Sequence, residues 1–592
     1  MTDKKPDVIQ KKPKAPLSLP RRWYLRILIN ILITLIVGAA IFYFMLPAIN
    51  VHSMDFYFYV GSLCIVYLIV AWINSDAVQG ISFLPTSRPN KKDKSASQGS
   101  STAFFDRQLG TVVGIVILLI VVAVAGSIGS SVIFRANSYN KLISVKNGKF
   151  ETDVQEVDFS SVPMIDLESA KKLGDRKLGE LEDMVSQFSV DEYYTQINYK
   201  NTPVRVTPLK YSDIIKWFIN RADGLPAYLI VDMVSQAVDI VRLDEGIKYS
   251  TCEYFNRNLT RHLRFNYPAY MFDTPVFEID EQGNPYWVCP RVDKTIGLFG
   301  GTDIVGAVLV NAVTGECSYY STKTLAEDPS LAWIDRVYSA DLLVDQYDYF
   351  GKYQSGFLNS IFGQRGVKVT TEGYNYLALN DDVYLYTGVT SVTDDQSIIR
   401  FVLVNQRTKE ANYYSIAGAK ENSARSSAQG VVQQFGYNAT FPLLLNISGQ
   451  PTYFMALKDT SNLVKQYAMV NVEQYQIVAT GVSLAECSQN YAALLREKGI
   501  IVDAAEQDPA AEDSTQELLS VTGKISDIRT AVIGGNSMYY IKLQNNPAYY
   551  SIKALDWEIT VILNTGDNVV IKYKKETPGI IPAAEISPAT QE

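Results

Sequence analysis

Histidine is almost missing from this chain, with two residues, His52 and His262, among 592. Cysteine is scarce too, at five, and no C-x-x-C spacing occurs. Imidazole and thiolate metal sites and Ser-His or Cys-His nucleophiles therefore have almost no residues to work with. Cys64 sits inside an apolar run, while Cys252, Cys289, Cys317 and Cys487 are too sparse to staple so long a chain. Cys289 and Cys317 fall on two predicted strands and could pair; free buried thiols are the other reading. Charge is absent from three long stretches: Ile27–Leu46, Phe56–Ile73 and Val112–Phe134. Each is close to the roughly 17–25 residues a helix needs to cross about 30 Å of hydrocarbon. The first follows a basic segment, as in a signal peptide, but its length and the second run close behind it favour a retained helix.

Lysine and arginine set the orientation. Seven lie in the first 22 residues, five in the 74–109 loop and none in 47–55. Positive segments stay cytoplasmic, which places the N-terminus and the 74–109 loop inside and everything after Phe134 outside. Residues 1–134 carry a net charge of +7 and the remainder −15. An acidic domain is a poor nucleic-acid binder, because phosphate affinity comes from clustered Lys and Arg.

The chain divides into a basic cytoplasmic tail (1–22), a three-helix transmembrane region (23–134, with the 85–105 part of its cytoplasmic loop flexible), and a membrane-proximal strand and helix (135–204). An α+β repeat domain (205–498), an acidic linker (499–517), a small β-barrel (518–576) and a disordered tail (577–592) follow. In the proximal part, a strand is expected near Leu142–Phe150 and a helix over Leu167–Phe188, with Gly174 and Gly179 weakening that helix.

Internal repeats are the main signal after the spans. Val308-Leu309-Val310-Asn311, Thr314, Glu316 and Tyr319-Tyr320 align with Val402-Leu403-Val404-Asn405, Thr408, Glu410 and Tyr413-Tyr414. Weaker copies run from Tyr228–Asp232 to Val241 and from Tyr467–Asn471 to Val478. Each is an apolar strand, a turn opened by Asn or Asp, and a second strand; such side chains bond nearby backbone and tolerate left-handed conformations. A second hairpin precedes three of them, at Phe277–Val288, Leu377–Tyr386 and Leu443–Phe454. Amphipathic helices over Tyr211–Arg221, Leu331–Phe350, Glu421–Phe435 and Leu484–Glu497 separate the units.

Helix plus paired hairpins, with Val310-Asn311-Ala312-Val313-Thr314-Gly315-Glu316 at its centre, resembles tandem PepSY-like modules of bacterial envelope proteins. The copy at Val404–Glu410 lacks the glycine, and the outer copies are degenerate. The resemblance covers 205–498 and implies inhibitory or protein-binding roles. Strands at Leu519–Ile528, Met538–Leu543, Ala548–Ile552, Val561–Leu563 and Val569–Tyr573, the last after Gly566-Asp567, are similar to an OB-type barrel, with SH3-like barrels the alternative. Basic and acidic residues nearly balance there, so the nucleic-acid role of OB folds does not carry over.

Candidate chemistry is thin. Glu278, Asp280 and Glu281 are close in sequence, but Glu278 and Asp280 share a strand face, whereas a glycosidase needs carboxyls flanking the sugar; they read as solvated strand charges, and a hydrolase would need Glu278, Asp280 or Glu316 for its activity. Leu298–Asp303 is glycine-rich but lacks the Lys-Ser/Thr of a phosphate loop and reads as a hairpin connection. His262 reads as a structural histidine. Thirty-eight tyrosines suit both sheets and recognition surfaces; in each Tyr-Tyr pair one ring is expected in the core and one at the surface. Tyr349–Gly363 reads as a buried connection, with contact to membrane or a partner the alternative. Ala125-x-x-x-Gly129 permits close helix contact within the bundle or with a second copy.

The expected fold class is α+β: three N-terminal transmembrane helices, a repeated helix-plus-hairpin domain and a terminal barrel. The expected function is a non-catalytic, membrane-anchored extracellular binding or scaffold protein of the bacterial, Gram-positive-type cell envelope. Its partners would be the lipid bilayer and an envelope or membrane protein, with a homo-oligomer as a further possibility and no nucleic acid. No catalytic, cofactor-binding or metal residue is assigned. An accessory subunit of a secretion or transport complex is the alternative, and an envelope hydrolase the third reading.

Overall fold

The computed structural model describes residues 23–74, 94–156, 162–379, 381–392, 397–501, 519–533, 536–553, 558–573 and 580–589. The basic tail 1–22, the 75–93 part of the 74–109 loop and most of the acidic linker lie outside the described residues. The chain forms two compact units, Met1–Ile501 and Val502–Glu592.

Three apolar helices open the first unit: α1 (Trp23–Met45), α2 (Met54–Ile73) and α3 (Lys94–Gly129). All three are long and apolar enough to cross a membrane, the third over Phe105–Gly129. The third span is therefore displaced from the expected Val112–Phe134. It starts inside the expected loop and takes in Asp106, Arg107 and Gln108. It ends at Gly129, and Val132–Phe134 belong to a short separate helix, α4 (Val132–Tyr139). Ser130 makes the break, as its hydroxyl accepts from the backbone N–H of Leu298 (2.8 Å) and Phe299 (3.0 Å).

Beyond the bundle, one sheet plan occurs four times. Each copy has a helix, a short edge strand, a hairpin into a long strand, and two further antiparallel strands. The long strands are Thr202–Tyr211, Pro285–Ile296, Asp382–Ser391 and Gln450–Lys458. Each pairs along one half with the edge strand and along the other with its hairpin partner, for example Phe188–Val190 and Thr195–Tyr199 in the first sheet. The opening helices are Leu167–Gly179, Leu259–Asn266, Ala340–Tyr353 and Glu421–Val431. Val145–Asn147 adds a parallel edge strand to the third sheet.

The turn joining the last two strands explains why the repeat reads in sequence. Asp232, Asn311, Asn405 and Asn471 end the fourth strand of their sheets. Each side-chain oxygen accepts from the backbone N–H two and three residues on, at 2.8–3.1 Å in all four copies. Four residues after Asp232, Asn311 and Asn405 the chain turns left-handed, at Gln236, Gly315 and Lys409. A lysine there costs about 1 kcal/mol relative to glycine. Lys409 is held by an ion pair of 2.7 Å with Asp303 of the second sheet, both side chains largely buried. The missing glycine of this copy thus carries a contact between modules.

The core is shared rather than split by module. One cluster joins the first and second sheets, another the second and third, and a third the third and fourth. Leu167–Gly179 is shorter than the expected helix: Phe188 has already entered a strand. A Cβ on the buried Gly174 would collide with the Tyr194 hydroxyl, whereas Gly179 has open space. Gly174→Ala is expected to cost about 1–3 kcal/mol through overpacking, and Gly179→Ala to gain about 0.4–1 kcal/mol. Thermal melts of the two variants read this contrast directly.

The second unit is a closed barrel in which Leu519–Ile533 pairs with both Asn536–Leu543 and Asn568–Tyr573. Tyr549–Lys553 and Ile580–Pro588 complete it, running parallel to each other. Two expectations are corrected. Val561 ends a short 3-10 helix over Glu558–Val561 instead of opening a strand. The supposedly disordered tail supplies the fifth strand, burying Ile581 and Ile586 in the barrel core. Asn568–Tyr573 is consequently the fourth strand of the barrel.

Candidate functional site

The polar groups worth following meet where the first, third and fourth modules adjoin. Arg205 sits mid-strand in Thr202–Tyr211, a strand buried on both faces. Its register partner is Gln196, whose Oε1 accepts from Arg205 Nη2 at 3.1 Å. Arg336 lies in the approach to helix Ala340–Tyr353. Its guanidinium donates to the Tyr376 hydroxyl at 3.1 Å and lies over that ring, 4.8 Å from the centroid. Both arginines line a cavity of about 330 Å³ together with Gln196, Tyr194, Tyr374, Tyr376 and an apolar wall that includes Met164, Met233 and Phe441.

The electrostatics are unusual. Arg205 is 7% exposed, and burial draws its guanidinium down to about 10, with the Arg336 charge acting in the same direction. Arg205 Nε, Arg336 Nε, Gln196 Nε2 and the Tyr194 hydroxyl are buried without a hydrogen-bond partner. Asp166, the carboxylate of the lining, is committed elsewhere: it accepts from Lys458 (2.7 Å) and from the backbone and hydroxyl of Ser169. Buried donors without acceptors are expensive.

Behind Arg336 lies a buried acid cluster. Glu278 accepts from the backbone N–H of Asp335 (2.9 Å) and Arg336 (3.0 Å), fixing the segment that carries the arginine. Asp335 accepts from Asn198 N (2.6 Å), and the Asn198 amide donates to Asp381 (3.0 Å). Burial pushes both the Glu278 and Asp335 carboxyls up, and the Glu278 charge adds to the cost of ionising Asp335.

This overturns the reading of Glu278 and Asp280 as solvated strand charges. Both are buried, because Glu278 anchors a neighbouring segment and Asp280 ties its own turn through Gln282 N, Asn284 N and the Asn284 amide. Glu281 and Glu316 are exposed turn residues and join no cluster. The glycine-rich Leu298–Asp303 forms the hairpin that seats on the third span. A Cβ at Gly126 would meet Leu298 and Phe299 at 2.7 and 2.8 Å, while Gly129 has open space, so the close approach falls beside the expected Ala125/Gly129 pair. Ser130→Ala removes the acceptor of two backbone donors in this seat. It is expected to cost about 1–3 kcal/mol, with faster hydrogen exchange at Leu298 and Phe299 as the readout.

All five cysteines are free. Cys317 instead approaches His262 Nε2 at 3.3 Å, a contact hidden in sequence by a separation of 55 positions. The pair does not make a nucleophile. His262 Nε2 lies 2.7 Å from the Gly315 carbonyl, and burial pushes the thiol up to about 11, the opposite of an activated cysteine. Among the described residues no group of three His, Cys, Asp or Glu could hold a metal. Tyr414 is core and Tyr413 half-buried, as the alternation implies, whereas Tyr319 and Tyr320 are both half-buried. The connection Tyr349–Gly363 is not buried at its end, where Leu358 is 70% and Phe362 81% exposed.

No known family matches the sequence, and no curated protein matches it.

Proposed function

We propose that this is a membrane-anchored binding or scaffold protein whose repeat domain and barrel lie outside the cytoplasm of a bacterial cell. The observation that carries the reading is the arginine cavity: unsatisfied donors gathered where three modules meet, with no activated nucleophile beside them. Orientation rests on the lysine and arginine bias of the flanking loops. The fourfold helix-and-sheet plan supports PepSY-like modules. The barrel's strand order, with its third and fifth strands parallel, supports an OB-like fold. The domain is also tied to the membrane region beyond its covalent link: Arg264 donates to the Leu46 carbonyl (3.0 Å), and Ile49 N to the Pro268 carbonyl (2.8 Å). Exposed Leu358 and Phe362 suit contact with lipid.

Two measurements test this. A tag placed after Glu592 should be cleaved by protease on intact cells, and protection until permeabilisation would reverse the topology. A photo-crosslinker at Tyr374, on the cavity lining, should give one discrete adduct in whole cells. A ladder of non-specific products, or none, counts against a binding role.

The accessory-subunit reading has its own support within the bundle. Gln108 accepts from Tyr67 (3.0 Å) and Asn30 from Asn74 (3.1 Å), beside a groove of about 610 Å³ lined by Ile27, Ile31, Val60 and Arg107. Polar side chains of this kind join helices in membranes. Co-purification of the spans alone with a larger membrane complex would favour it.

A further inference from the structure

We infer that the Arg205–Arg336 cavity is a binding site for a carboxylate carried on an apolar stem. The inference deepens the binding reading by naming the chemistry of the ligand.

Two arginines line the same cavity, and the Arg336 charge adds to the cost of burying Arg205. Arg205 has one side-chain partner, a neutral amide, and Arg336 has a phenol. No carboxylate lies within ion-pair distance of either among the described residues. An uncompensated buried charge is a strongly destabilising feature, and a fold that keeps one beside an accessible cavity gains when an anion arrives. The orphaned donors fit that anion. Arg205 Nε and Gln196 Nε2 belong to side chains 7% and 1% exposed, so neither reaches bulk water. With Arg336 Nε they make three unsatisfied hydrogen-bond donors on side chains that line the cavity, against the roughly four lone-pair sites of one carboxylate. Arginine's fixed fork matches that planar group.

The rest of the lining decides what the anion is attached to. Met164, Met233, Phe441, Leu443, Phe454 and Met455 also line the cavity. A multiply charged phosphate would leave oxygens facing methionine and phenylalanine; a carboxylate on a hydrocarbon or aromatic stem would not. The volume, about 330 Å³, sits at the lower end of small-molecule sites. It also admits the last side chain and terminal carboxylate of a peptide. Both sources share the same chemistry.

The test uses the full chain in lipid nanodiscs and titration calorimetry. The probes are 3-phenylpropionate, its neutral amide, inorganic phosphate, and the tripeptide Gly-Leu-Phe with a free or amidated C-terminus. Phenylpropionate should bind at one site per chain. Its amide should bind roughly ten- to hundredfold more weakly, the worth of hydrogen bonds to a charged group, and phosphate should not compete. Tighter binding of the free tripeptide than of phenylpropionate identifies a peptide terminus; the reverse order identifies a free acid. In Arg205→Met, which keeps the side chain's bulk, the acid should lose binding by a similar factor. The ligand-free melting temperature should hold or rise. Equal affinity for acid and amide, or no binding of either carboxylate, overturns the inference. So does a variant that binds as before while melting lower, since that makes Arg205 purely structural. An acid that binds while no crosslinked adduct forms in cells would leave the cavity standing and remove the scaffold role.

Discussion

Asp382→Ala is expected to be the most damaging single substitution in the repeat domain, at about 3–5 kcal/mol, the cost of breaking a buried ion pair from one side. Asp382 holds Arg407 through two parallel bonds of 2.7 and 2.8 Å, with both side chains largely buried. These bonds hold Arg407 above its ordinary value, the mark of a charge stabilised where it sits. The same carboxylate accepts from Asn405 Nδ2 at 2.8 Å. Asn405 is the turn-opening residue of the third module, so the ion pair braces the element that defines the repeat. Arg407 also donates to the Leu325 carbonyl at 3.2 Å, reaching a helix that follows the second sheet. Removing Asp382 leaves an arginine stranded between modules. Thermal unfolding of the full chain would show it, and Asp382→Leu with Arg407→Met should recover most of the loss, because apolar replacements of similar volume often equal a buried pair. A drop below about 1 kcal/mol, the range of exposed pairs, would mean water reaches the site.

How much of this could be read from residues alone follows from the kind of signal each feature leaves. The spans are long and apolar, so composition finds them. The third was misplaced at both ends: it starts at Phe105, inside the expected loop, and it stops at Gly129, where Ser130 contacts Leu298 and Phe299, far along the chain. The hairpins of the second and third modules announce themselves through Asn311 and Asn405, whose turn bonding is local. The opening hairpin of the first module, Thr195–Tyr211, was missed. Its strands are buried on both faces, which erases the alternation that marks a half-exposed strand. The closing strand of the barrel was missed because Pro582 and Pro588 read as breakers, yet Pro582 sits where the pairing with Tyr549–Lys553 ends and Pro588 ends the strand, positions that tolerate proline. The cavity was not legible at all. Arg205 and Arg336 meet only through tertiary packing. The available hint was a lone arginine inside the apolar run Pro203–Leu209, a position where a charge needs a reason.

Stability should fall as pH rises from about 4.5, the ordinary carboxyl value, toward neutrality. Glu278 and Asp335 are both fully buried, and burial is the first cause of both shifts upward. In that window the folded chain keeps protons that the unfolded chain has released. The free energy of unfolding then decreases with pH, by up to about 1.4 kcal/mol per unit for each retained proton. The contribution is fully present below the unfolded values and is lost as pH climbs through the raised ones. The groups facing the pair set how far this goes. Arg336 and two backbone N–H donors favour ionised Glu278, whereas Asp381 and Asp382 oppose ionisation of Asp335. Asp166, held below its ordinary value by Lys458 and Ser169, acts in the other sense, but only under more acidic conditions. Melting temperatures of the full chain between pH 4.5 and 8 should therefore decline. Glu278→Gln should flatten the decline while lowering stability at acidic pH, because its amide can accept from only one of the two backbone donors that Glu278 now satisfies. A melting temperature that rises across the window would mean the carboxyls ionise freely. The acid cluster would then be stabilised by hydrogen bonds and by Arg336 more than it is penalised by burial, and Arg336 would be engaged by Glu278 instead of left open to a ligand.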